Sequence, residues 1–185
     1  MNAFLFFSLM FLAFAFVLVA SWFGRVGLQC VAIAIALATT IIAGKIVPLF
    51  GVAASVGTCT FTALALCTDL IAECYGRREA LRCVAYTFCG NIVLLVLGLI
   101  AASVPEAEPT AMSSALSSLF SWVPRLLAGG LTAYLVSQLI DVFIFTAIKK
   151  ATRGRHLWLR ASLSTAISQA ADTIIVWHIA FFGII

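Results

Sequence analysis

Long apolar runs alternate with short polar segments along the whole chain. Because an α-helix rises about 1.5 Å per residue, roughly 20 apolar residues are enough to cross the hydrocarbon core of a membrane. Runs of this length recur along the chain. We therefore predict six transmembrane helices, at about residues 3–23, 26–44, 50–72, 83–104, 123–148 and 161–182.

Three segments need a separate interpretation. No basic residue precedes the first run, and the run is longer than the apolar core of a usual secretion signal, so we expect a retained helix. The third run carries several threonines near its start, where hydroxyl groups can bond back to the backbone and bend a helix. The segment 113–122 is too short to span a membrane, and we expect it to lie in the interface.

Composition supports the same architecture. The chain of 185 residues is 64% hydrophobic and only 10% charged, which is more apolar side chain than a soluble domain of this size can bury. We predict a single all-α polytopic helix bundle over residues 1–185, with the lipid bilayer as its surroundings. Faces of small residues, such as the alanines of the second helix, would permit a homodimer.

The basic residues are distributed unevenly over the loops. Nine of the eleven lysines and arginines fall at residue 25 and in or beside the loops 76–82 and 149–160, all on one side of a six-span chain. By the positive-inside rule, we expect these loops to be cytoplasmic. The net charge of +4 is explained by this topology, so it does not indicate nucleic-acid binding.

The sequence offers no recognisable catalytic or metal-binding motif. The six cysteines form no CxxC pair, and His156 and His178 stand apart from other metal-ligating residues. An intramembrane aspartyl protease is an alternative, but neither Asp141 nor Asp172 lies in a Tyr-Asp or Gly-x-Gly-Asp motif. We therefore expect a protein without a cofactor, metal or enzymatic activity.

Polar side chains inside three of the predicted helices are the best candidates for function, because acids within a membrane are costly. Helical spacing puts each group on one face, and the rise per residue places the three aspartates roughly 10–17 Å from the basic loops. The groups are Asp69 with Glu73; Tyr134, Gln138 and Asp141; and Gln169, Asp172 and Thr173.

Ionised carboxylates cannot share a dry layer without partners. They are partly protonated, line a wet cavity, or bind a ligand rich in hydrogen-bond donors. A carboxylate can accept two parallel N–H donors, as a guanine-like edge presents, and Tyr134 and Trp177 could stack on a flat ring. The alternative is that the acids only lock the bundle, through the amides or through Lys45 or Arg125 near the opposite face.

Several motifs, in this order and spacing, resemble the queuosine precursor transporter family, and the resemblance covers about residues 39–182. They are IAGK at 42–45, DLIAECYG at 69–76, Arg125, AY at 133–134, QLID at 138–141, DT at 172–173 and AF at 180–181.

The resemblance implies a bacterial inner-membrane importer of 7-deazaguanine bases, which are queuine or its 7-cyano and 7-aminomethyl precursors, for tRNA modification. It also implies a fold like the substrate-binding subunits of energy-coupling-factor transporters. We expect facilitated or proton-linked import, with Lys45 and Arg125 as gating or charge-pairing residues. The alternatives are a binding subunit for a separate ATPase, and an assembly protein.

Overall fold

The computed structural model describes residues 2–105, 110–121 and 124–181, without the side chains of 121–131, 176–177 and 179–181. These residues form seven helices and one β-hairpin. In chain order the elements are α1 (Asn2–Ser21), α2 (Gly24–Ile42), β1 (Ile46–Leu49), β2 (Val52–Ser55), α3 (Gly57–Cys74), α4 (Arg77–Ser103), α5 (Ala111–Ser121), α6 (Pro124–Ala151) and α7 (Leu157–Phe181).

The prediction of an all-α membrane bundle is confirmed. Within the described residues, four segments are long and apolar enough to cross a bilayer: α1, α2, α4 and Thr132–Ala151 of α6. Helix α3 has 18 residues and carries two acids, and α7 has 25. The total of six spans therefore stays a prediction.

The start of the predicted third span is wrong, because residues 46–55 form an antiparallel hairpin instead of helix. Phe50 and Gly51 connect the strands with φ angles of 51° and 85°, and positive φ at both central residues is typical of a tight two-residue hairpin turn. Pro48 and the β-branched residues around it also disfavour helix. Helix α3 begins only at Gly57, where the chain passes close to Ala43.

Two other boundaries differ from the prediction. Helix α4 begins at Arg77, several residues earlier than expected, because Gly76 adopts a φ of 87° and turns the chain directly into a new helix. The predicted interfacial segment forms the short helix α5. Its Phe120 packs over Gly98 of α4, where a side chain on Gly98 would leave no room for the aromatic ring.

The turns that carry most of the basic residues lie at one end of the bundle, called here the basic end. It contains the α1–α2, α3–α4 and α6–α7 turns. Arg25 Nη1 lies 3.3 Å from Oε2 of Glu79, which also pairs with Arg82, and the guanidinium of Arg77 lies 3.9 Å from the centre of the Phe143 ring.

Helix α3 is the centre of the bundle. It contacts α1, α2, α4, α6 and α7, and it has more buried residues than α1, α2 or α4. Alanine, cysteine and leucine side chains line its buried faces, and the thiol of Cys67 donates to the carbonyl of Leu28. Small residues let neighbouring helix backbones approach closely. Any acid on the buried face of α3 is therefore enclosed by other helices.

Candidate functional site

Two aspartates meet in the interior of the bundle. Asp69 on α3 and Asp141 on α6 are 5% and 1% exposed, and their carboxyl groups lie close enough to influence each other's charge. The sequence predicted that these acids share a layer, and the structure brings them together. Two carboxylates in contact repel each other unless a proton or an external donor lies between them.

Serines of α7 and α6 donate hydrogen bonds to the buried aspartates. Ser168 Oγ donates to Asp141 Oδ1 at 3.3 Å, and Ser164 also faces this carboxyl group. Ser137 Oγ donates to Asp172 Oδ1 at 3.4 Å. Asp172 is half-buried and lies on the same α6–α7 interface as Asp141. The serines orient the acids but do not satisfy all their oxygens.

Several buried acceptors of this region have no hydrogen-bond donor within the described part of the chain. They are Oδ1 of Asp69, Oε1 of Gln138 and Oδ2 of Asp141. A buried acceptor without a donor costs about 1–3 kcal/mol, and more when it is charged. When both groups are ionised, the carboxyl–carboxyl contact does not remove this cost, because each group then offers only acceptors. The arrangement is thus suited to receive a ligand that presents N–H groups.

A groove of about 420 Å³ lies against this layer, between α1, α3 and α7. Its volume is in the range of small-molecule sites. Asp69 and Gln169 supply the polar groups that the sequence had predicted, and Thr165 adds a hydroxyl group. Phe14 and Leu66 provide apolar surface. Asp69 therefore belongs both to the buried carboxyl pair and to the groove.

Glu73 does not join this cluster. Its carboxylate lies 2.5 Å from Nη2 of Arg160 and 3.1 Å from Nζ of Lys149. Lys149 also donates to the backbone carbonyl of Glu73 at 2.9 Å, near the C-terminal end of α3. These contacts tie α3, α6 and α7 together at the basic end. Glu73 thus has cationic partners of its own and is not left open to a ligand.

Arg160 is a buried cation that sequence reasoning counted only as a loop residue. It is 1% exposed, donates to the carbonyls of Gly154 and Arg155, and places its guanidinium 5.3 Å from the ring centre of Phe145. The sequence placed Arg160 at the end of a basic loop, directly before the predicted sixth helix, whereas in the structure α7 begins at Leu157 and includes Arg160 in its first turn. Arg160 is also near enough to Asp69 to attract its carboxylate.

The remaining predicted site residues lie away from the groove or outside the described side chains. Tyr134 donates to Oγ1 of Thr87 at 2.6 Å and packs edge-on against Phe61, so its hydroxyl group is directed toward α4. Thr173 is exposed and donates to the carbonyl of Gln169. Lys45 is exposed beside the hairpin, far from the basic end. The side chains of Arg125 and Trp177 lie outside the described residues.

Metal ligands do not cluster in the described ranges. Among residues 2–105, 110–121 and 124–181, no group of three or more histidine, cysteine, aspartate or glutamate residues is placed to hold a metal ion. The described cysteines are free thiols, and Cys67 and Cys83 are buried in the core.

Comparison with known proteins identifies relatives of this chain. Residues 55–185 match the family model described as "Putative vitamin uptake transporter". The "Probable queuosine precursor transporter" of Bacillus subtilis (strain 168) is 37% identical over 144 residues, covering 76% of this chain and 62% of the relative. No solved structure matches the chain.

Two more distant relatives carry similar names. The "Probable queuosine precursor transporter" of Haemophilus influenzae is 28% identical over 127 residues, and the "Queuosine precursor transporter" of Escherichia coli (strain K12) is 26% identical over 126 residues. Each match covers 68% of this chain, and 51% and 54% of the respective relative. The chain therefore spans about half to three fifths of the length of the relatives it matches.

Proposed function

The chain belongs to the vitamin uptake transporter family, and from this premise we propose that it imports 7-deazaguanine precursors of queuosine, or queuine itself, across the inner membrane of a bacterium. The protein is a multi-pass protein of the bacterial inner membrane. Three similar proteins are named for transport of queuosine precursors, which supports the substrate class.

One observation carries the proposal. The buried layer formed by Asp69, Gln138 and Asp141 contains acceptor atoms without donors, and Asp69 of this layer also borders a groove of about 420 Å³, which is large enough for a single heterocyclic base. A 7-deazaguanine presents a ring N–H and an exocyclic amine side by side. A carboxylate can accept both hydrogen bonds at once, and an amide can pair with the adjacent carbonyl. The ligand thus supplies the donors that the bundle lacks.

The positions of the charges support an orientation of the protein in the membrane, and with it a route for the proposed import. We assign the basic end to the cytoplasm, since it carries Arg77, Lys149 and Arg160. The base enters from the opposite end, where Lys45 lies exposed, and reaches the layer of Asp69 and Asp141 within the bundle. It leaves at the basic end after the contacts of Glu73 open.

The carboxyl pair also provides a place for a coupling proton. When no base is bound, one proton shared between Asp69 and Asp141 removes the repulsion between the two groups. When a base binds, one carboxyl group keeps that proton and the other accepts hydrogen bonds from the N–H groups of the ligand. A proton and a base that enter together from the outer side and are released together at the basic end make import proton-linked, without an ATP-hydrolysing partner.

A direct test is the queuosine content of tRNA in a bacterium that lacks both precursor synthesis and its own importer. The strain expresses this protein and receives queuine, 7-cyano-7-deazaguanine or 7-aminomethyl-7-deazaguanine, each at low concentration. We expect at least one base to restore queuosine, and that base identifies the substrate. If the protein is present in the membrane and no base restores queuosine, the proposal is wrong.

A further inference from the structure

We propose that the base lies in the groove between α1, α3 and α7, and that Phe14 of α1 stacks on its ring. The inference rests on the proposed function and adds to it the position and orientation of the ligand. It gives a binding role to α1, which lies outside the segment 55–185 that matches the family model.

The groove has an acid in its wall. Asp69 is 5% exposed and its side chain borders the groove, while its Oδ1 atom lies enclosed in the bundle without a donor in the described part of the chain. On the opposite wall, the small side chains of Ala161, Ser162 and Ala166 on α7 leave room for a ligand. Small residues alone would indicate only close helix packing, but the carboxyl group of Asp69 adds a polar group that can accept hydrogen bonds from a ligand.

The groove also contains groups that can orient a planar base. Gln169 borders it, and its side-chain amide forms no hydrogen bond with any described residue, so it is able to donate to a carbonyl and accept from an amine. Asp69 can accept from the adjacent N–H groups. These two residues lie on different helices, α3 and α7. A base bridging them would have its polar edge toward α3 and α7.

Phe14 is the aromatic side chain that lines this groove. It is partly buried and packs against the core, so its ring is held in position. The tyrosine expected to stack, Tyr134, is instead bonded to Thr87 and directed toward α4. A base that bridges Asp69 and Gln169 would lie beside the wall formed by α1. Stacking on an aromatic ring favours any flat heterocycle over a flexible ligand.

The test is equilibrium binding of queuine, 7-cyano-7-deazaguanine and 7-aminomethyl-7-deazaguanine to the purified full chain in lipid nanodiscs. Phe14→Leu keeps the apolar bulk and removes the ring, and we expect the Kd of the preferred base to rise by about tenfold or more. Phe14→Tyr keeps the ring and is expected to bind like the wild type. The matched control is Phe16→Leu, two residues away on the same helix and 55% exposed.

The outcomes separate this inference from the proposed function. If the wild type binds a base and Phe14→Leu binds it equally well, the stacking role is wrong while the proposed function stands. If Phe14→Leu and Phe14→Tyr weaken binding equally, Phe14 acts through packing and the inference is overturned. If the wild type binds none of the three bases, the proposed function fails and this inference fails with it. Melting temperatures of all variants in detergent identify any loss of folding.

Discussion

Asp69 and Asp141, on two different helices, are both buried inside the bundle and lie close enough to influence each other's charge. Ser168 supports only one side of the pair, by donating to Asp141 Oδ1. Two acids in contact need a proton or a donor-rich ligand, and a transporter can carry both together. This pair is the centre of the proposed transport mechanism.

Replacing either acid of the pair by its amide is expected to abolish import. Asp69→Asn and Asp141→Asn retain the size of the side chain but remove the charge and introduce N–H groups that compete with those of the ligand. We expect uptake of the labelled base to fall by at least about a hundredfold in each variant, because more than one charge-assisted hydrogen bond is lost. Uptake into whole cells, normalised to the amount of protein in the membrane, measures the effect.

A control for this prediction is Glu79→Gln, which also removes a carboxylate. Glu79 pairs with the exposed Arg25 and Arg82 at the basic end, apart from the carboxyl pair of Asp69 and Asp141. We expect nearly normal uptake. Normal uptake by Asp69→Asn and Asp141→Asn together would show that the ligand binds elsewhere.

Arg160 is expected to stabilise the fold more than any exposed cation of the basic end. Arg160→Gln leaves Glu73 with Lys149 alone and removes a buried cation that also holds the carbonyl of Gly154. Glu73 keeps Lys149 as a partner, so the expected cost is that of a lost hydrogen bond to a charged group, about 1.5–3 kcal/mol. Thermal unfolding of the purified variant in detergent should therefore show a clearly lower melting temperature than that of Arg25→Gln.

A double-mutant cycle isolates the contact between Arg160 and Glu73. The double variant Glu73→Gln Arg160→Gln should lose less stability than the sum of the single variants, because neither charge is left without its partner. Strictly additive losses would indicate that the two side chains act independently and that the pair does not hold α3 against α7.

Tyr134→Phe separates a structural role from a ligand contact. The tyrosine hydroxyl donates to Thr87 at 2.6 Å, which joins α6 to α4. Hydrogen bonds between membrane helices contribute about 0.6 kcal/mol on average. We expect a small loss of thermal stability and an unchanged KM for uptake. A raised KM with unchanged stability would instead place Tyr134 at the ligand.

Gly57 is expected to tolerate no side chain. A Cβ atom there would lie 2.9 Å from Cα and Cβ of Ala43, so Gly57→Ala must move α3 away from the end of α2. Overpacking of this kind costs about 1–3 kcal/mol. Gly44→Ala is the control, because nothing lies within 4 Å of a Cβ atom at Gly44. Equal melting temperatures for the two variants would contradict this packing.

Periodicity and charge predicted the helical bundle and the acids at its centre. The rise per residue along each helix placed Asp69 and Asp141 at similar depths, and acids inside a membrane are costly unless they have a function, so both could be recognised as candidates.

The hairpin at residues 46–55 could not be recognised from the sequence, because its apolar residues fit a transmembrane helix as well as a strand.

The partners of individual acids depend on how the helices pack, which spacing along one helix does not reveal. Glu73 follows Asp69 by one turn and was assigned to the same site, but in the bundle it meets Arg160 and Lys149 from α7 and α6. Phe14 was one of several phenylalanines in an apolar run until the packing of α1 against α3 placed it beside Asp69.

The most direct test of the ligand site compares the binding of two bases, 7-deazaguanine and 7-deazahypoxanthine, to the purified protein. They differ only in the exocyclic amine. The N–H groups of this amine are proposed to donate hydrogen bonds to Asp69 or Asp141. We expect wild-type protein to bind 7-deazaguanine roughly ten to a hundred times more tightly, and expect this preference to disappear in Asp69→Asn Asp141→Asn. Equal affinity of the wild type for the two bases would contradict a site built on these unpaired acceptors.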